Sequence, residues 1–314
     1  MFSSGIQLLN QVKRIAVFTH INPDGDALGS SVAFKLAMEK LQKEVDLYCD
    51  DTIHENYYFL NTQSFYVEHK NKEYDLAVIL DCPDVLRIGK YAELYKNISK
   101  KIVIDHHLKN NISADLKFVD EKAGSVGIML YRLFKEMQLP LNKYIAEALY
   151  TAISTDTGCF MHSNTTSETH LITAHLMEYN IELEKLNYYL FNKKTKSQMQ
   201  LLARALNKLQ FHEQNKIVLL VIKEEDFKET NTTYDDTIGI LNTIRGIEGV
   251  DASVILTETQ KDCYKVSLRS YYVDVSKIAE NFLGGGHKHA AGCKICGKLE
   301  NVINKLLEAT KKEL

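Results

Sequence analysis

The sequence predicts a two-domain α/β protein. Near the start of the chain, short apolar runs typical of buried parallel strands alternate with helical stretches. A long helical stretch follows, and a second pattern of strands and helices begins near residue 216. The chain has 314 residues, of which 45% are hydrophobic, so it can bury two compact cores.

Four apolar runs predict a parallel sheet in the first domain, because each is flanked by polar or turn residues. They cover residues 14–20, 44–49, 75–81 and 101–105. A helix is predicted over 26–41, where apolar residues recur with a period near that of an α-helix. From 123 to about 211 the chain is predicted to be almost entirely helical, and Asp156 closes one of these helices.

The second domain is predicted to combine strands and helices around a glycine-rich segment at 284–292. The strands cover 216–222, 251–259 and 263–270, and the helices cover 234–245, 274–282 and 298–313. We place the first domain at 1–190, a connecting helix at 191–211 and the second domain at 212–314.

Six side chains in the first half of the chain can bind metal ions, and most of them follow predicted strands. In an open α/β sheet the carboxyl ends of parallel strands share one edge, and ligands bind there. Two imidazoles and four carboxylates suffice for two cations that share a bridging ligand, and such a pair clamps the oxygens of a displacement at phosphorus. This donor set favours manganese, magnesium, cobalt or zinc. The six residues are His20, Asp24, Asp26, Asp81, His106 and Asp156.

Each of these segments also has an ordinary structural explanation. The turn at 22–26 ends in Asp26, and aspartate is a favoured helix N-cap. The segment Asp105-His106-His107 fits an exposed polar strand end. Alternatively, Asp105 orients an imidazole, and the two histidines point in different directions, one to a metal and one to a substrate. Together the two segments favour a dinuclear metal centre.

In the second domain, Arg269 and the glycine-rich segment are candidates for anion binding. A guanidinium is a planar donor suited to a terminal phosphate, although Arg269 also fits a surface arginine on an edge strand. Glycines 284–286 can cradle an anion with their backbone N–H groups, or they can simply end a helix. His289 receives no role, and Arg245 fits equally a residue that reaches the ligand-binding cleft and an arginine that ends a helix. A zinc site at Cys293 and Cys296 is disfavoured because no second pair is suitably spaced.

Taken together, the motifs resemble the DHH/DHHA1 phosphoesterase family, and more narrowly its branch of short nanoRNases and pAp phosphatases (NrnA-like). The resemblance covers nearly the whole chain, in order. It is carried by HINPDGD from His20, the LD at 80–81, the DHH at 105–107, the STD at 154–156, the SLRS at 267–270 and the GGGHKHAAG at 284–292.

The resemblance implies an N-terminal DHH domain, a smaller C-terminal DHHA1 domain and an active site in the cleft between them. It implies two metal ions, with manganese the usual metal. One ion is held by His20 and Asp24, the other by Asp26, His106 and Asp156, and Asp81 bridges them.

The resemblance also implies the roles of the remaining site residues. Asp105 supports the site, and His107 contacts the phosphate. The second domain grips the far phosphate and sugar of the nucleotide. Its substrate-binding residues are Arg269, Gly285, Gly286 and His287.

The expected activity is hydrolysis of short RNA, of linear dinucleotides such as pApA and pGpG, and of 3′-phosphoadenosine 5′-phosphate (pAp). A manganese-dependent inorganic pyrophosphatase is one alternative, which the GGGH segment at 284–287 argues against. A nucleotide-sensing protein without turnover is another, which the presence of all six metal-binding side chains argues against. A homodimer is what the resemblance suggests.

Composition limits the partners and the compartment. The net charge is −3 and the pI is near 6.4, which disfavours a protein that coats long nucleic acid. No apolar run reaches the ~20 residues that cross a bilayer, and the start of the chain lacks a signal peptide. We therefore expect a cytoplasmic protein without membrane contact. The six cysteines are scattered through apolar segments, so disulfides are not expected.

Overall fold

The structure, a computed structural model, describes residues 1–68 and 72–314, without the side chains of Ile238 and Asn242. The chain forms two compact units, Met1–Lys193 and Lys194–Leu314. Each unit has its own sheet and its own hydrophobic cores. The prediction of a two-domain α/β protein is confirmed.

A parallel five-stranded sheet lies at the centre of the first unit, in the order β2-β1-β3-β4-β5. Four of its strands lie within the predicted runs. The fifth was not predicted, because it is only four residues long and Phe118 is its one buried side chain. The strands are β1 (Arg14–Phe18), β2 (Glu44–Tyr48), β3 (Leu76–Leu80), β4 (Lys101–Asp105) and β5 (Leu116–Val119).

Helices cover both faces of this sheet, so alternate residues of each strand enter different cores. In β1, Ile15 and Val17 enter one core, whereas Ala16 and Phe18 enter the other. The helices are α1 (Ser3–Gln11), α2 (Gly25–Lys40), α3 (Thr62–Phe65), α4 (Ala92–Asn97), α5 (Val126–Glu136), α6 (Lys143–Asp156), α7 (Ser167–Met177) and α8 (Leu183–Asn187). Short 3₁₀ segments add Glu55–Leu60 and Val85–Tyr91, and a π-helical turn adds Tyr188–Asn192.

Helix α2 is held against α6 by an unusually close backbone approach. A Cβ atom added at Gly29 would lie 2.5 Å from the carbonyl oxygen of Ala148 and 2.7 Å from the nitrogen of Ala152. At its start, α2 is capped by Asp24, whose Oδ1 accepts from the backbone N–H groups of Asp26 and Ala27. These contacts place the turn after β1 and the end of α6 at the same edge of the sheet.

The second unit contains a mixed six-stranded sheet in the order β10-β11-β9-β8-β7-β6. The β7–β8 pair is parallel and the other pairs are antiparallel. The strands are β6 (Gln210–His212), β7 (Ile217–Ile222), β8 (Ala252–Gln260), β9 (Cys263–Ser270), β10 (Gly285–His287) and β11 (Ala290–Cys296).

Five α-helices among the described residues pack on this sheet. They are α9 (Lys196–Leu206), α10 (Glu224–Thr230), α11 (Ile238–Arg245), α12 (Val275–Glu280) and α13 (Leu299–Lys311), and a short turn covers Tyr234–Thr237. Helices α12 and α13 cover one face of the sheet, whereas α9 and α11 cover part of the other. In the part of the chain that the structure describes, every helix is too short or too polar to cross a bilayer.

Several features of the second unit differ from expectation, and β6 and α10 were not among the predicted elements. No strand was expected in the glycine-rich segment, but its residues form β10 and the start of β11, because glycine and alanine allow the two backbones to approach closely. The expectation of no disulfides is wrong, since Cys263 and Cys296 are joined. They are paired residues on β9 and β11, separated by 33 positions, and only the strand register brings them together.

Candidate active site

The first predicted metal-binding residue, His20, lies just beyond the end of β1 and is buried. Its Nδ1 lies 2.8 Å from the carbonyl oxygen of Ile21, which can only accept, so Nδ1 carries the proton. Its Nε2 faces Asp24 Oδ1 at 3.9 Å and Asp81 Oδ2 at 3.8 Å. Burial lowers the pKa of His20, so the neutral ring presents a lone pair to these carboxylates.

Asp26 is a fully buried carboxylate between the starts of two helices. It lies in the first turn of α2 and accepts backbone N–H groups from Val126 at 2.7 Å and Gly127 at 3.0 Å, at the start of α5. Partial positive charge at helix N-termini stabilises an anion there. Burial and the charge of Asp156 nevertheless raise the pKa of Asp26 to about 8. Burial and the neighbouring negative charge thus disfavour the ionised form of Asp26.

Asp81 follows β3 and lies between the two histidines. Its backbone adopts a left-handed conformation with a φ of 56°, and its side chain is buried. Oδ1 lies 3.4 Å from His106 Nε2, whereas Oδ2 faces His20. Burial and the charge of Asp26 raise the pKa of Asp81 well above its usual range.

His106 follows β4, and Nδ1 donates to the carbonyl oxygen of Ala123 at 3.1 Å. Its Nε2 then faces three carboxylates, those of Asp81 at 3.4 Å, Asp156 at 3.6 Å and Asp26 at 3.8 Å. Burial lowers the pKa of His106, but these carboxylates raise it to about 10. The protonated His106 ring thus places positive charge among these three carboxylates, where a metal cation would also fit.

All six predicted metal-binding side chains are brought together. Three groups among the described residues each place one ligand atom per side chain within 4.8 Å of the others. They are His20, Asp24 and Asp81; Asp26, His106 and Asp156; and Asp81, His106 and His107.

The donor set and the environment both fit divalent cations. Asp81 Oδ1 is buried and has no hydrogen-bond partner in the described part of the chain, and leaving such an oxygen unsatisfied is costly. Carboxylate oxygens with imidazole nitrogens suit hard divalent ions. The individual ligand roles stay predictions.

Asp105 orients His107 from a fully buried position at the end of β4. Its Oδ1 accepts from His107 Nδ1 at 2.7 Å, and its Oδ2 accepts from Asn110 Nδ2 at 2.7 Å. Burial raises the pKa of Asp105, but these hydrogen bonds outweigh it and keep the pKa below its usual value. Asn110 also donates to the carbonyl oxygen of Cys82, so it ties the segment after β3 to the segment after β4.

Asn110 and Arg87 are site residues that the sequence patterns did not reveal. The Arg87 guanidinium lies 3.3 Å from His20 Nδ1, and the Arg87 carbonyl oxygen accepts from the N–H of Ile21. Among the described residues, no carboxylate forms an ion pair with Arg87. Neither residue belongs to a charged cluster in the sequence. Only the loop packing places them beside the candidate metal-binding cluster.

In the second unit, Arg269 lies on the part of the sheet that helices leave open. Alternation along β9 places Arg269, Ser267 and Lys265 on this face, where they line a cavity of about 680 Å³. The cavity also contacts Gly285 and Tyr234. Burial and repulsion from Arg245 lower the pKa of Arg269. Among the described residues, Arg269 forms no ion pair with a carboxylate.

The other predicted substrate-binding residues lie along β10, and all are exposed. Gly285 lines the cavity and has open space where a side chain would begin. Gly286 has a φ of 143°, and a Cβ atom there would lie 2.5 Å from the carbonyl oxygen of Ala290. Glycine is therefore required at 286 by strand pairing itself. His287 ends the strand.

Comparisons with known proteins agree with this architecture. Residues 14–153 match the model of the DHH family N-terminal domain, and residues 214–314 match the DHHA1 domain. The bifunctional oligoribonuclease and PAP phosphatase NrnA of Thermus thermophilus is 32% identical over 305 residues, which cover 96% of this chain and 90% of that protein. The chain belongs to the DHH/DHHA1 phosphoesterase family. The prediction from its motifs is confirmed.

Two further comparisons extend the similarity over nearly the full length of the chain. The protein of the same name from Bacillus subtilis is 27% identical over 297 residues, which cover 92% of each chain. The crystal structure of an exopolyphosphatase-related protein from Bacteroides fragilis shares the fold, with a TM-score of 0.91 and 23% identity. The aligned residues cover 99% of this chain and 95% of the Bacteroides fragilis chain.

Proposed function

We propose that this protein is a metal-dependent phosphoesterase that hydrolyses short RNA and linear dinucleotides such as pApA and pGpG to mononucleotides, and pAp to AMP and phosphate. The supporting observation is the convergence of two imidazoles and four carboxylates at one sheet edge, in a chain that aligns almost entirely with relatives named oligoribonuclease and PAP phosphatase. A metal centre of this kind suits displacement at phosphorus.

Two divalent ions are proposed to occupy the cluster, and manganese suits its mixed oxygen and nitrogen donors. When bound, such ions supply a nucleophile from water at neutral pH and neutralise charge on phosphoryl oxygens. One ion would be held by His20 and Asp24, and the other by Asp26, His106 and Asp156. Asp81 would serve both, because its two oxygens face opposite histidines.

His107 is proposed to contact the scissile phosphate. Its Nδ1–H is committed to Asp105, so the ring would reach a phosphoryl oxygen through Nε2 as an imidazolium, in which both nitrogens donate. Asp105 stays ionised because hydrogen bonds lower its pKa, and Asn110 holds the carboxylate from the other side. The pair therefore fixes the ring orientation before a substrate binds.

The second unit is proposed to bind the nucleotide through Arg269, Gly285, Gly286 and His287. Arg269 has no carboxylate partner among the described residues, and exposed glycines leave backbone groups open to a phosphate or a sugar. We propose a catalytic domain at 1–190, a linker helix at 191–211, a substrate-binding domain at 212–314 and a homodimeric assembly. The net charge of −3 favours short substrates over long nucleic acid.

A substrate panel with manganese tests this function, using pAp, pApA, pGpG, a five-nucleotide RNA, a long RNA and inorganic pyrophosphate. We expect turnover of the short nucleotides, a steep loss on the long RNA and no turnover by Asp81→Asn. Equal activity of the variant and the wild type would contradict the proposed metal centre. Rapid phosphate release from pyrophosphate with none from pApA would favour a pyrophosphatase instead.

A further inference from the structure

Arg245 is a half-buried arginine that forms no ion pair with any carboxylate in the part of the chain that the structure describes. It ends α11, one helical turn after Leu241, which lines the cavity beside Arg269. Its Nη2 donates to the carbonyl oxygen of Ser270 at 3.2 Å. Its Nε is buried and has no hydrogen-bond partner in the described part of the chain. A buried N–H without a hydrogen-bond partner is costly, and an anion that contacts this nitrogen would satisfy it.

The guanidinium of Arg245 is held in place by an aromatic ring. Its central carbon lies 3.9 Å from the centroid of the Tyr271 ring, within the range of a cation–π interaction. Tyr271 follows β9 directly and is 55% exposed, so it stays accessible to solvent. The stacking leaves the edge of the guanidinium, which carries its donors, free of the ring.

Two positive charges therefore lie close together on one side of the second unit. Repulsion from Arg245 contributes to the lowered pKa of Arg269, and the residue that accepts from Arg245 is the neighbour of Arg269 on β9. Neither arginine forms an ion pair with a carboxylate among the described residues. Like charges placed together without acids form a site for a multiply charged anion.

We propose that Arg245 and Arg269 together bind the terminal phosphomonoester of the nucleotide, so that the second unit selects substrates that end in a phosphate dianion. The inference deepens the proposed function and rests on it. A phosphomonoester carries about −1.5 to −2 charges at pH 7, whereas a terminal hydroxyl carries none. The second guanidinium thus favours pApA over ApA.

The test compares kcat/KM for pApA and ApA in the wild type, Arg245→Gln, Arg245→Lys and Lys261→Gln. Lys261→Gln removes an exposed charge of the same unit and controls for general electrostatics. We expect Arg245→Gln to lower the preference for pApA by about 10- to 100-fold, with little change for ApA, since a hydrogen bond between charged groups is lost. Arg245→Lys should keep part of the preference, and Lys261→Gln all of it.

Equal losses on both substrates in Arg245→Gln would overturn the inference, because they indicate a purely structural role. A lowered thermal unfolding midpoint would identify a folding defect in Arg245→Gln. The two substrates would then be compared with Arg245→Lys. Calorimetric binding of pApA and ApA to Asp81→Asn, with and without Arg245→Gln, gives a readout without turnover. If the wild type hydrolyses neither dinucleotide, the proposed function fails. Tighter binding of pApA than of ApA that depends on Arg245 would still support the phosphate site. Equal binding excludes it.

Discussion

His107 Nδ1 lies 2.7 Å from the fully buried Oδ1 of Asp105, and this hydrogen bond fixes the orientation of an imidazole at the edge of the candidate metal centre. Asp105 belongs to β4, whereas His107 already belongs to the loop, so a rigid strand end positions a side chain on a more exposed segment. The first prediction follows from this pair.

Asp105→Asn should lower kcat/KM for pApA by roughly 10- to 100-fold without loss of bound metal, a typical effect of removing a group that orients a metal-site residue. The amide cannot accept on both sides, so His107 or Asn110 loses its partner. Steady-state kinetics with metal analysis measure the effect. Asp115→Asn is the matched control, because Asp115 accepts from Lys101 at the other end of β4. Unchanged activity in Asp105→Asn would refute the positioning role.

Asp81→Asn should remove activity and metal binding and yet stabilise the metal-free protein by about 1 kcal/mol, since it relieves a crowded buried charge. Asparagine tolerates the left-handed backbone, which alanine does not, so Asp81→Ala shows the added backbone cost. Because burial raises the pKa of Asp81, the gain should grow as the pH rises above 4. The thermal unfolding midpoint should be higher for Asp81→Asn than for the wild type with chelator, and lower than that of the wild type with manganese. The same order in both conditions argues against the site.

Metal affinity should rise with pH between 6 and 8, and binding should release protons. The pKa of Asp26 is raised to about 8 and that of His106 to about 10, so both hold protons at pH 7 that a cation must displace. Titration calorimetry in two buffers of different ionisation enthalpy counts these protons. Binding without proton release, or with the same affinity at pH 6 and 8, would show that neither residue is a ligand.

Gly29→Ala should destabilise the first unit by roughly 1–3 kcal/mol, because the new methyl group would meet the backbone of α6 and neither helix can shift freely. The matched control is Gly239→Ala in α11, where the nearest atom lies 4.0 Å from an added Cβ. Here we expect a gain of about 0.5–1 kcal/mol from helix propensity. Unfolding midpoints in urea give both values. Equal effects of the two substitutions would contradict the close approach of α2 and α6.

Asp226→Asn should destabilise the second unit by about 2 kcal/mol at pH 7, the usual scale for hydrogen bonds to a charged group. Asp226 is buried and contacts Arg204, Lys208 and the backbone N–H of Lys223. Burial raises its pKa, but these donors lower it below the usual value. Its contribution is therefore complete above about pH 4 and is lost as the pH falls further.

The pH dependence of the urea midpoint checks this assignment. The difference between the wild type and Asp226→Asn should shrink on acidification below pH 4. Glu224→Gln, which breaks an exposed pair with Lys228 on the same helix, should leave the midpoint unchanged. A difference that stays constant with pH would mean that the charge of Asp226 is not what stabilises α10.

Local patterns were enough to predict the α/β class and the family, because buried parallel strands are apolar runs and the motifs follow their ends. They were not enough for β5 or β10. Both are short edge strands with polar residues or glycines, and only pairing with a neighbour makes them strands. For the same reason the Cys263–Cys296 disulfide was missed, since it depends on the register of β9 and β11.

The sequence by itself determined which residues can bind metal and phosphate, since imidazole, carboxylate and guanidinium groups carry that chemistry wherever they lie. Tertiary structure decided which of them meet. Asp156 joins His106 because α6 packs against α2, and Arg245 joins Arg269 because α11 lies beside β9. Such contacts link positions far apart in the chain through packing and strand register, and no local pattern records either of these.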